Sequence, residues 1–324
     1  MDALRRESRG LPAVVRSWSI GKFVSLLYNF VLQAHDFPCC CFREDVRLGD
    51  VVGRGFFSTV YKATWRGRTV AIKILNPEIV STTDFNYELT IWRTLSTKEA
   101  NILKLYGSSS FSGNLPRMLI SPYLRHGNLS DYMKRCEWEI TGNNSSLFLE
   151  QGLYKDVDHL KFMYDIALGM DYIHSKGILH GDLRAANVLV TDSIRCVIAD
   201  FGCSKYRTHL TYEQPALNRW WQAPEIMGRG GIMTRKTDVY AYALTCIEIV
   251  TFGNIPWPNL SDDLVKEAVL KNGQEHKSRP PYPELVKILD IEGLLLYWND
   301  APALRPKFTN IIQQLQILRY PRTI

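Results

Sequence analysis

His180-Gly181-Asp182-Leu183-Arg184-Ala185-Ala186-Asn187-Val188-Leu189-Val190 is the stretch on which the reading of this chain turns. An Asp and an Asn five residues apart in a tight loop can serve one site. The carboxylate takes a proton from a hydroxyl, and the amide oxygen holds a metal. Eighteen residues beyond Asp182 comes Ile198-Ala199-Asp200-Phe201-Gly202. An Asp at the end of a buried strand, followed by Gly, suits a Mg²⁺ ion that takes few other protein ligands. Ala223-Pro224-Glu225 closes the segment that follows.

Toward the N-terminus, Thr59–Thr64 and Thr69–Ile74 are short β-rich runs, and the segment from Asp84 to Leu95 has the apolar spacing of a helix. Lys73 alternates with apolar residues in Val70-Ala71-Ile72-Lys73, which puts it on one face of a strand. Taken alone, a lysine in a strand is usually solvated. Glu88, in the middle of the helix, can supply the anion that keeps a buried lysine charged, although a lone helix Glu is usually solvated too. Gly53-Arg54-Gly55-Phe56-Phe57-Ser58-Thr59-Val60 follows a β-like run. Its glycines let a turn bring backbone N–H groups close to phosphates, but by themselves they signal no more than a hairpin. Ser58 stands where a third glycine would be usual.

The order of glycine loop, VAIK, helix Glu, H-x-D-L-x-x-x-N, DFG and APE resembles that of the eukaryotic protein kinases. The resemblance runs from about Val46 to Tyr320. It takes in Asn101–Gly107, the start of a buried helix at Thr237–Ala241, and Pro302–Pro306, whose Arg305 it pairs with Glu225. It implies an α+β, bilobal fold: a small lobe with a five-stranded antiparallel sheet and one helix (46–121), a hinge (122–127) and a larger, mainly helical lobe (128–320). ATP is expected in the seam. On this resemblance Lys73 holds the α/β-phosphates, oriented by Glu88, and Asp200 and Asn187 hold Mg²⁺. Asp182 accepts the substrate hydroxyl proton, and Arg184 contacts the γ-phosphate or the substrate. Gly53, Arg54, Gly55, Phe57 and Ser58 cover the phosphates, and Val60, Ala71 and Leu189 sandwich the adenine. Ser121 gates an inner pocket, and Pro122, Tyr123 and Leu124 form the hinge. The substrate is expected to be a protein.

Two departures stand out. Gly181 replaces the usual Arg before the catalytic Asp, which removes an anchor for phosphates on Tyr206, Thr208, Thr211 or Tyr212. Activity is therefore expected to depend little on loop phosphorylation. His-Gly-Asp loops also occur in aminoglycoside and choline phosphotransferases, but those families generally lack the DFG triplet and the APE–Arg305 arrangement. Together with Ser58, Gly181 supports the alternative of a pseudokinase scaffold. Arg219-Trp220-Trp221-Gln222 looks like the tyrosine-kinase-like group, in a divergent, fungal-type form, and favours Ser/Thr acceptors. Leu183–Asn187 looks like the loop of some tyrosine kinases, and Asn218 sits where Ser/Thr kinases usually have Thr, so Tyr stays open as an acceptor.

The 324 residues, 46% hydrophobic and 22% charged, exclude a disordered chain and a multi-span membrane protein. A net charge of +6 without a basic and aromatic stripe points away from nucleic acid. Seven cysteines without metal or disulfide spacing suggest free thiols in a reducing, cytoplasmic setting. Residues 1–45 stand apart. Phe23, Leu26, Leu27, Phe30, Val31 and Ala34 form one helical face, opposite Lys22, Ser25, Asn29 and Gln33. This helix is read as docked on the following domain. The alternatives are peripheral membrane contact through residues 11–41, aided by acylation of Cys39–Cys41, and a cleaved targeting peptide. Glu137–Asp156, polar and weakly patterned, is read as an insert or long loop. Helices are also expected at His159–His174, Asp238–Thr251 (buried on all sides) and Thr309–Leu318.

Overall fold

The structure, a computed structural model, describes residues 46–96, 99–109, 117–141, 157–207, 218–228, 231–270, 280, 285–289, 291, 293 and 297–320. The helix expected in residues 1–45, the cysteine triplet and positions 208–217 lie outside these residues.

The first lobe is a five-stranded antiparallel sheet of order β1-β2-β3-β5-β4. Its strands are β1 (Val46–Arg54), β2 (Ser58–Trp65), β3 (Arg68–Leu75), β4 (Gly107–Ser109) and β5 (Arg117–Pro122). Strand alternation divides β3 between two faces. Val70, Ile72 and Ile74 pack with Ala63, Met118 and Ile120 into a small core of their own. Lys73 points to the other face, where α1 (Thr82–Leu95) lies. That helix starts two residues earlier than its apolar spacing suggests, because Ser81 and Asp84 form a capping box.

The second lobe is mainly helical. It contains α2 (Leu129–Thr141), α3 (His159–Ser175), α4 (Pro224–Met227), α5 (Arg235–Val250), α6 (Asp262–Leu270), α7 (Leu285–Ile288) and α8 (Phe308–Arg319). Between α3 and α4 run the short strands β6 (Ile178–Leu179), β7 (Val188–Val190), β8 (Cys196–Ile198) and β9 (Lys205–Tyr206). β6 pairs with β9 and β7 with β8. The part of the supposed insert at 137–141 is not loop; it continues α2, whose exposed face accounts for its polarity. Residues 142–156 lie outside the described set.

Every residue of α5 from Thr237 to Val250 is buried, as its apolar run predicts. The helix nevertheless carries two carboxylates. Asp238 accepts the His180 N–H (3.0 Å), the Gly181 N–H (3.0 Å) and His174 Nε2 (2.8 Å). Burial pushes the Asp238 carboxyl up, but the hydrogen bond and charge of His174 outweigh it and hold it below its ordinary value. Glu248 accepts the Ala185 N–H and the Trp221 indole N–H at one oxygen, at 2.8 and 2.9 Å. The buried helix thus fixes the loop 180–185 at both ends through side chains.

A buried ion pair closes the lobe. The guanidinium of Arg305, 1% exposed, pairs bidentately with Glu225. It also donates to Asn299 O and Lys236 O and lies 5.0 Å above the Tyr240 ring. Glu225→Ala leaves that buried cation uncompensated and is expected to cost about 3 kcal/mol. Urea unfolding of the variant checks this, and a loss below about 1 kcal/mol would count against it.

Candidate active site

The two lobes meet at Lys73. Its Nζ lies 2.8 Å from Glu88 Oε1 on α1 and 2.7 Å from Asp200 Oδ1 after β8. Burial opposes the charge on Lys73, but Asp200 and then Glu88 more than offset it, so the ammonium is held above its ordinary value. The Lys73 charge in turn holds the Asp200 carboxyl below its usual range against burial. Asp200 keeps 47% of its side-chain surface open, so it has room for another partner. Its φ of +61° is in the left-handed region, a strained conformation that Asp tolerates better than most residues.

Beneath the pair is a stack of rings. Phe201 is fully buried, with its ring 5.9 Å from Trp92 of α1 and 5.7 Å from His180. Trp92 donates its indole N–H to Leu103 O, and His180 Nε2 lies 3.1 Å from Ala199 O. The helix that carries Glu88, the strand end that carries Asp200 and the loop that carries Asp182 therefore share one packed column.

Asp182 is gripped on both oxygens. Asn187 Nδ2 donates to Oδ2 (2.8 Å) and to the backbone carbonyl (2.7 Å), and Asn218 Nδ2 donates to Oδ1 (2.9 Å). Burial raises the carboxyl above its ordinary range, Arg184 pulls it down, and Asp200 adds to the rise. A carboxylate poised in this way takes a proton more readily than a free one. Arg184 Nε is 3.7 Å from Asp182 Oδ2, and its guanidinium lies 5.5 Å above the Trp221 ring. With its Nδ2 committed to Asp182, Asn187 has its amide oxygen to offer. Asn187 and Asp200 supply the oxygen donors that a hard divalent cation takes. No three His, Cys, Asp or Glu side chains converge among the described residues.

The glycine-rich segment is a hairpin between β1 and β2. Gly53 pairs with Val60 and Arg54 with Thr59, and Gly55 N–H donates to Ser58 O at 2.9 Å. Ser58 opens β2, opposite Leu75, and is not among the described residues with positive φ. That position makes no conformational demand for glycine. Phe57 packs on the core, while Phe56 is half exposed. Val60 lies opposite Lys73, Ala71 opposite Ser121 and Leu189 opposite Val197, and all but Ser121 and Val197 are half-buried. Ser121 is 6% exposed at the end of β5. Pro122 pairs with Val70, and the Tyr123 ring lies 5.0 Å from Lys62 Nζ. Leu124 O accepts from Gly127 N–H in the turn that leads to α2.

A family profile described as protein tyrosine and serine/threonine kinase matches residues 46–315. The chain belongs to the protein kinase family. The fold is its bilobal α+β architecture, with a five-stranded antiparallel sheet and a helical lobe. The chain is similar to the tyrosine-protein kinase SPK-1 of Girardia tigrina, at 27% identity over 85% of this chain and 54% of that protein. It is 28% identical to the serine/threonine-protein kinase STY17 of Arabidopsis thaliana, over 85% of this chain and 45% of that protein. It is 32% identical to fibroblast growth factor receptor 2 of Dugesia japonica, over 84% of this chain and 31% of that protein. It thus spans about a third to a half of the curated relatives it matches.

Sequence reasoning missed the grip of Asn218 on Asp182 and the positioning roles of Asp238 and Glu248. The last two carried a signal. A carboxylate within a wholly apolar helical run must find donors when the helix is buried. Cys203, next to the DFG glycine, is no thiolate: burial pushes its thiol up to about 12.

Gly181 has φ +80°, and a Cβ there would meet Met233 Sδ at 2.7 Å and Cys203 O at 2.8 Å. Gly181→Ala is therefore expected to cost about 2 kcal/mol in urea unfolding; a neutral effect would contradict the packing. Glu248 supplies a pH test. Burial raises its carboxyl from 4.5 to about 7. The folded chain then holds a proton that the unfolded chain has released, so stability falls as pH rises from about 4.5 to about 7 and levels off above. Glu248→Gln is expected to remove this dependence, worth on the order of 3 kcal/mol. The measurement is the wild-type and variant difference at pH 5 and pH 8, and equal differences would refute it.

Proposed function

We propose that the chain is an active, ATP-dependent protein kinase that transfers the γ-phosphoryl group to a protein hydroxyl, preferring Ser or Thr over Tyr. One observation carries the reading. Lys73 bridges Glu88 and Asp200 while Asp182 stands nearby with both carboxylate oxygens oriented by amides. Phosphoryl transfer depends mostly on such positioning and on charge.

In this reading Lys73 holds the α/β-phosphates and Glu88 fixes its direction. The N–H groups of residues 53–58 lie over the phosphates, with Arg54 and Phe57 at the rim. The adenine lies between Val60 and Ala71 above and Leu189 below, against Ser121, Tyr123 and Leu124. Asp200 and Asn187 would hold Mg²⁺, which would offset the negative charge of the phosphates. Asp182 takes the acceptor's proton as the acceptor oxygen bonds to the γ-phosphorus and the bond from that phosphorus to the β,γ-bridging oxygen breaks, releasing ADP, and Arg184 lies on the substrate side of Asp182.

The tyrosine-kinase-like assignment rests on Arg219-Trp220-Trp221-Gln222. Relatives named for both acceptor types leave the acceptor to experiment. Ser58 and Gly181 are the sequence support for the scaffold alternative; Ser58 is not among the described residues with positive φ, and Gly181 has a φ of +80°. No helix among the described residues is long and apolar enough to cross a membrane. A reducing, cytoplasmic setting is supported by the free thiols of Cys136, Cys196, Cys203 and Cys246.

With Mg²⁺ and labelled ATP, wild type is expected to phosphorylate itself or a generic protein substrate, mainly on Ser or Thr by phosphoamino-acid analysis. Asp182→Asn is expected to lower the rate by about a hundredfold or more. Equal transfer by the variant would remove Asp182 as the base. Retained binding of a nucleotide analogue without transfer would leave the scaffold reading.

A further inference from the structure

α1 is joined to the second lobe at a place that the nucleotide site does not use. Tyr206 lies in β9, opposite the fully buried Ile178 of β6, two residues before His180. Its backbone N–H donates to the hydroxyl of Tyr87 at 3.0 Å. The two rings meet edge to face with centroids 6.1 Å apart. The Tyr206 hydroxyl lies 3.3 Å from Thr94 Oγ1. Thr94 spends its one proton on Thr90 O, at 2.9 Å, so Tyr206 is the donor in that pair. Lys205 Nζ lies 5.8 Å from the Tyr87 ring on the same strand. Tyr87 directly precedes Glu88, and Thr94 lies two turns further along the helix.

These contacts lie along one flank of α1, about 100° around the helix from the side on which Glu88 meets Lys73. We propose that Tyr87, Tyr206 and Thr94 form a phosphate-free latch: they are positioning residues that keep α1 in place and act on phosphoryl transfer through Glu88. The need for a latch follows from Gly181. That position has no side chain with which to grip a phosphorylated loop, and Met233 and the Cys203 carbonyl occupy the space one would need. β9 is itself fixed to the loop strand β6 by pairing, and Arg207 N–H donates to Gly177 O. The latch therefore ties the helix, through β9, to the strand β6 that leads into Asp182. It gives α1 a bias toward the Lys73-paired arrangement without any modification. A few hydrogen bonds and one ring contact bias such an equilibrium by about an order of magnitude.

The inference rests on the reading of Lys73 and Glu88 as the nucleotide-anchoring pair. Its test uses the whole chain, treated with phosphatase, and the variants Tyr206→Phe, Thr94→Val and Tyr87→Phe/Tyr206→Phe. Each keeps its ring or branched shape. The single variants are expected to lower kcat about threefold and the double variant about tenfold, with KM for ATP within about twofold. Because the latch acts through Glu88, the same changes placed in Glu88→Gln are expected to cost less than about twofold. Hydrogen exchange of the amides at 82–95 is expected to quicken in the double variant while α5 stays protected. Wild-type kcat in the double variant, or an equal loss with and without Glu88, would overturn the latch. Should wild type show no transfer at all, the kinase reading fails by itself, and exchange decides the latch: unchanged exchange at 82–95 overturns it, and quickened exchange supports it.

Discussion

Asp238 is a charge held where charges are most costly, 1% exposed inside a helix buried on every side. It persists because three donors converge on it, and two of them are the backbone N–H groups of His180 and Gly181. The geometry of the loop 180–187 is therefore set by a helix more than fifty residues downstream. Glu248 accepts donors in the same way nearly three turns further on, holding Ala185 and Trp221. The loop contributes Asp182 and Asn187, and its shape belongs to α5. The left-handed φ of Gly181 is the conformational cost of turning two consecutive N–H groups toward one carboxylate.

From that foundation the site is built upward by packing. His180 meets Phe201, Phe201 meets Trp92, and Trp92 belongs to the helix that carries Glu88. The column aligns three elements that share no local sequence. Lys73 then crosses from the sheet to the top of that column, where its ammonium pairs with Glu88 and Asp200. A charge network in a partly dry cleft is strong but demanding, since each member is costly without the others. This explains why the bridge is backed by ring contacts instead of standing on ion pairs alone.

Much of this was legible in the sequence, and the reason is physical. Residues with one chemical duty in a short loop, such as Asp182, Asn187 and Asp200, leave a spacing that survives translation into geometry. Alternation in β3 put Lys73 on its face, and the all-apolar run gave α5. The missed features depend on distance in the chain. Nothing near Asn218 announces that its amide reaches Asp182, thirty-six residues away. Tyr87 and Tyr206 meet only because β9 pairs with β6. The start of α1 was misjudged because a capping box, not apolar spacing, sets it. The end of α2 was misjudged because an exposed helix face has the same polar composition as a loop.

The Glu225–Arg305 pair has a consequence for the order in which the molecule is made. A ribosome delivers Glu225 and the buried helix long before Arg305. Until residue 305 emerges, Asp238 and the loop it organises sit in a lobe whose closing contact is missing. The two partners of this pair are thus far apart in time as well as in sequence. Such long-range closure slows folding and leaves apolar helix faces exposed to chaperones in the interval. The larger lobe is in this sense a late product of translation, completed as a unit, while the sheet of the smaller lobe can already be in place.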